Sequence, residues 1–70
     1  MKEIVLKIME LEERRNDIEK VQKDLREEMV IADEDKLLEK EMIYYKNKEE
    51  LKEINKYIDI LNESLEGLKY

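Results

Sequence analysis

The sequence predicts an all-α protein: a two-helix antiparallel hairpin that dimerises into a four-helix bundle. Three observations predict it. Leu51, Ile54, Ile58, Leu61, Leu65 and Leu68 are spaced 3, 4, 3, 4 and 3 apart, the repeat of a helix that buries one stripe against another helix. Met1, Ile4, Ile8, Leu11, Arg15, Ile18, Gln22, Leu25, Met29 and Ala32 trace a second seam with the same alternation. Proline is absent and glycine occurs once, at Gly67, a composition suited to long helices.

The first helix is expected over residues 1–32. Its seam carries two polar positions, Arg15 and Gln22, and Val5 and Val21 flank it. The wider stripe suits a bundle better than a two-stranded rope. After Ala32 the repeat slips by one residue, and the second seam reads back only to Leu37. That places a turn at 33–36, where Asp33 or Asp35 can cap a helix start and the acids complement its dipole. The second helix then runs over 37–69, weak on the seam at Lys40, Tyr44 and Asn47 and strong from Leu51 onward. The whole chain, 1–70, reads as one helical-hairpin domain. The rival is a continuous helix of roughly 100 Å at ~1.5 Å per residue.

Folding the chain at the turn sets the register. Residues whose numbers add to 69 become opposite layers. Met1 meets Leu68, Ile4 meets Leu65, Ile8 meets Leu61, Leu11 meets Ile58, Ile18 meets Leu51 and Leu25 meets Tyr44. Polar Gln22 falls opposite polar Asn47, and a buried polar pair is itself a register device. A parallel rod would instead set Arg15 against its own copy, two like charges in one seam. The hairpin puts Arg15 near Ile54, with Glu50 and Glu53 as partners. The expected core is therefore Ile8, Leu11, Ile18, Leu25, Leu51, Ile54, Ile58, Leu61 and Leu65.

Composition excludes several classes of function. With no cysteine and no histidine, the chain lacks disulfides, thiolate metal sites and the commonest general base. A two-helix unit of 70 residues buries little apolar surface, so a second copy or a partner is the expected staple. Residues 1–32 carry seven basic and nine acidic residues, and residues 33–70 seven and eleven. Neither half has the basic footprint that nucleic acid or an anionic membrane requires. Tyr44 and Tyr45 beside Lys46 and Lys48 do not change this, since nearby acids cancel the lysines. Met1–Leu11 is interrupted by Glu3, Lys7 and Glu10, which is neither a signal peptide nor a membrane span. The expectation is a cytoplasmic protein that is not an enzyme, with no cofactor, no metal, no nucleic acid and no membrane partner.

No motif for chemistry stands out. Asp33, Glu34 and Asp35 lack the glycine and final glutamate of a calcium loop. Glu49, Glu50 and Glu53 alternate with lysines, as on a solvated face with i,i+4 pairs. The stretch Asn62-Glu63-Ser64-Leu65-Glu66 resembles, at Leu65, the Ser-x-x-Leu-Asp motif of small aspartyl-phosphatases of sporulation phosphorelays. Asn62 stands for the serine and Glu66 for the aspartate. Such a family would imply a helical hairpin acting as a phosphatase-like regulator. In architecture the chain is also similar to plasmid RNA-binding regulators, two-helix chains that dimerise into bundles, although its acidic balance argues against an RNA role.

The functional expectation rests on a second apolar stripe. Leu38, Met42 and Tyr45 lie away from the second seam, and Val30, Ile31 and Ile43 join them near the turn. A hairpin alone can cover only one side, and exposed apolar patches mark interaction sites. Val30, Ile31, Leu38, Met42 and Tyr45 are the expected partner-binding residues, with a second copy of the chain favoured over a foreign protein as what covers them. The expected function is a small non-catalytic interaction module or regulator that self-associates as a homodimer or higher form and can bind another protein. The alternative is an acidic inhibitor that occupies a basic groove on an enzyme or nucleic-acid-binding protein.

Overall fold

Two long helices joined by two residues make up the structure, a computed structural model that describes residues 2–68. Helix α1 spans Lys2–Ile31 and helix α2 spans Glu34–Leu68. They lie side by side in a body of 55 × 15 × 13 Å. A continuous rod of roughly 100 Å, at ~1.5 Å per residue, does not fit that length.

Interhelical contacts give the antiparallel direction. Arg15 and Asn55, which bond across the hairpin, are 40 residues apart in sequence. Arg14 and Glu50 are 36 apart, Gln22 and Tyr44 are 22 apart, and Glu28 and Lys40 are 12 apart. The separation shrinks steadily toward the turn, as it must when one helix runs back along the other.

The turn is shorter than the sequence suggested. Among the described residues only Ala32 and Asp33 are non-helical, and α2 begins at Glu34 rather than at Leu37. Asp33 stands at the N-cap position: its carbonyl accepts from the Leu37 amide at 2.7 Å, the first bond of the new helix. Glu34 and Asp35 then occupy the first turn, where carboxylates face the positive end of the dipole. The apolar pattern missed Glu34, Asp35 and Lys36 because they are polar and lie ahead of the first seam residue, Leu37.

The core is thin. Ile8, Ile18, Ile54 and Ile58 form one buried cluster, with Ile4, Leu11, Leu51, Leu61 and Leu65 half-buried around it. Leu25 is buried nearer the turn. Among the described residues no side chain falls below 2% exposure. Two helices supply one contact line, and each apolar side chain keeps an edge in water. The expected layer of Met1 and Leu68 lies outside the residues whose side chains are described.

Polar seam positions are satisfied differently from the expected pairing. Gln22 is buried, at 4% exposure, but its Nε2 donates to the Tyr44 carbonyl at 2.9 Å rather than to Asn47. Arg15 donates to Asn55 Oδ1 at 3.1 Å and not to Glu50 or Glu53. Glu50 accepts instead from Arg14, whose Nη2 lies 2.7 Å away. Arg14 is one residue, about 100° of helix, round from Arg15, and that rotation carries its fork to the flank where Glu50 sits. Lys40, half-buried on the seam, reaches Glu28 Oε2 at 2.7 Å. Its ammonium finds that carboxylate across the hairpin.

Candidate interaction surfaces

Two surfaces stand out, and they differ in kind. The first is the turn end. Val30 and Ile31 are each 84% exposed, and Leu38, Met42 and Tyr45 are exposed as well. Val30 and Ile31 end α1 where the link turns away, so neither faces α2. On α2, Leu38 and Tyr45 are seven residues apart and share one side, with Met42 on the adjoining back. Ile43 is exposed on the other flank. The five expected residues thus ring the turn end and do not make one flat face. Tyr45 is steadied by its neighbour: the rings of Tyr44 and Tyr45 meet edge to face, centroids 5.8 Å apart at 80°.

The second surface is a flank of the hairpin. Arg14 and Val21 on α1 share a side with Ile43, Glu50 and Tyr57 on α2: each set recurs every seven residues on its own helix, and Arg14, Val21, Glu50 and Tyr57 line adjoining depressions. The Arg14–Glu50 bridge ties the two helices there. Beside it lies a shallow groove lined by Leu11, Ile54 and Tyr57 together with Arg14, Glu50 and Glu53. A second depression continues it, lined by Asp17, Ile18, Val21 and Asn47 with the same Arg14 and Glu50. Val21, Ile43, Tyr57 and Ile60 are each about half exposed along or beside this flank. Sequence reasoning marks Val21 as a flank of the seam and Ile43 as a neighbour of the turn stripe but passes over Tyr57 and Ile60. Both stand in the run Tyr57-Ile58-Asp59-Ile60-Leu61, beside the stronger seam residues Ile58 and Leu61, and only the position of the partner helix shows which surface they share. The available signal is the seven-residue spacing of Ile43, Glu50 and Tyr57.

Further apolar residues are exposed at the open end, where Val5, Leu6 and Met9 surface on α1. The outer side of α1 also carries a shallow polar depression formed by Asn16, Glu19, Lys20, Lys23 and Arg26. All five of those residues are exposed.

Elsewhere the candidate chemistry dissolves into helix structure. Ser64 Oγ donates to the Ile60 carbonyl one turn back at 3.1 Å, an ordinary helical back-bond. Asn62, Ser64 and Glu66 are exposed while Leu65 packs against the core. Among the described residues no three histidine, cysteine or acidic side chains group in a way that would hold a metal ion. No described helix is long and apolar enough to cross a membrane. No family model, curated protein or solved structure matches the chain, so the functional reading rests on these surfaces.

Proposed function

We propose that the protein is a small non-catalytic interaction module or regulator that self-associates, with the turn-end patch as its docking surface for a protein partner. One observation carries the reading. A hairpin whose described side chains are nowhere fully buried leaves Val30, Ile31, Leu38, Met42 and Tyr45 in water. Ionisable groups could occupy those positions without loss if the hairpin were self-sufficient. Apolar residues there are explained by a surface that is covered in the working state. A cytoplasmic location and a homodimeric four-helix bundle belong to the same proposal, and the location rests on composition alone.

Light scattering over a wide concentration range tests the self-association, and the double variant Leu38→Glu, Met42→Lys tests the patch. The alternative role, an acidic inhibitor of a basic groove, draws on the net charge of −6. The two readings separate by salt, since charge-driven capture weakens steeply with ionic strength and apolar docking does not.

A further inference from the structure

We infer that two copies of this chain pack antiparallel across the groove flank, the one tied by the Arg14–Glu50 bridge. This rests on the self-association reading above and says which face performs it: the flank, not the turn-end patch.

A two-fold assembly must be self-complementary, because residue i meets j wherever j meets i. The flank passes that test about an axis through Glu50, perpendicular to the helices. Glu50 lies level with the span between Arg14 and Val21, since all three line the same depression. Rotation about that axis brings Ile43 onto Tyr57 of the second copy. Each is seven residues from Glu50, about 10 Å at ~1.5 Å per residue. The same rotation brings Lys46 near Glu53, Lys7 onto Glu28, and the alkyl stem of Arg14 onto Val21. Apolar meets apolar and base meets acid.

Glu50 meets its own copy on the axis, which would be costly for bare carboxylates. Here each accepts from an Arg14 at 2.7 Å, so the axis holds two acids and two guanidiniums. About an axis at the same level, the opposite flank fails the test. Rotation there opposes Lys48 to Lys52 and Glu41 to Asp59, like charges in both cases. The extents of the flank, 55 by 15 Å, bound the contact at about 800 Å² per copy, the usual share of a stable interface.

One feature opposes the pairing. Glu10, Asp17 and Asp24 lie on the outer rim of α1, where rotation sets acid near acid. Those groups stay in water, so added salt should tighten the dimer, not loosen it.

The test uses the full chain and two variants at exposed positions, Ile43→Glu and Tyr57→Lys. Circular dichroism verifies that each remains helical. Each variant alone should dimerise at least about tenfold more weakly than the parent, because an ionised group would have to be desolvated against an apolar one. An equimolar mixture should recover the dimer. In the mixed pair the introduced carboxylate faces the introduced ammonium, while the native Ile43 of one copy still meets the native Tyr57 of the other. Sedimentation equilibrium reads all three samples. A parent that stays monomeric overturns the self-association reading and this inference together. A parent that dimerises while both variants match it overturns the groove face alone. Two weakened variants that do not rescue each other overturn the antiparallel pairing.

Discussion

Gln22 Nε2 donates to the backbone carbonyl of Tyr44 at 2.9 Å, bridging the two helices in the middle of the seam. A mid-helix carbonyl serves its own helix with one lone pair and has a second to offer. The other end of the amide fares worse: Gln22 Oε1 is buried with no hydrogen-bond partner. An unmet buried acceptor costs on the order of 1–3 kcal/mol. Gln22→Leu should therefore raise stability by about 1 kcal/mol, read as a higher melting temperature in thermal denaturation. A lower melting temperature would mean that the bond to Tyr44 outweighs the orphaned oxygen.

The register gives a second expectation. Ile8 is buried and Leu61 packs against its cluster. The chain has no native cysteine, so Ile8→Cys with Leu61→Cys is a clean probe. Oxidation should close a crosslink within one chain, visible as faster migration without reductant. Crosslinking confined to pairs of chains would contradict the hairpin.

Core truncation should grade with burial. Ile58 is 5% exposed, whereas Leu61 is half-buried. Ile58→Ala should cost about 3–4 kcal/mol and Leu61→Ala about 2 kcal/mol, within the range for apolar truncations to alanine. Urea denaturation measures both. Equal losses would mean that Leu61 is covered in the assembled protein as fully as Ile58.

The seam was legible because a 3–4 alternation survives any surrounding charge: Ile8, Ile18, Leu25, Ile54 and Ile58 stand in it and are buried. What the repeat could not convey was side-chain reach. Arg15 and Arg14 differ by one position, yet Asn55 takes the first and Glu50 the second. The helix start at Glu34 was half legible: Asp33 was one of two capping candidates, but a polar first turn has no apolar phase to choose between Asp33 and Asp35. At the candidate surfaces, the exposed turn end could be read from Leu38, Met42 and Tyr45 having no place on the seam. The groove flank could not, because Tyr57 and Val21 belong to one surface only once the helices are side by side.

The turn-end patch has its own test. Leu38→Glu with Met42→Lys adds opposite charges one turn apart, so an i,i+4 pair offsets any loss within α2. Helicity by circular dichroism should stay at the parent level. Capture of a protein partner should fall, because two ionised groups would have to enter a dry contact. A double variant that binds its partner as the parent does would make the patch idle surface.

If this thin hairpin completes its fold with a second copy, sedimentation equilibrium of the parent chain will show it most directly. The mass should rise with concentration from the 8.6 kDa of one chain to twice that value. A helical species that holds the mass of one chain at every concentration would contradict self-association.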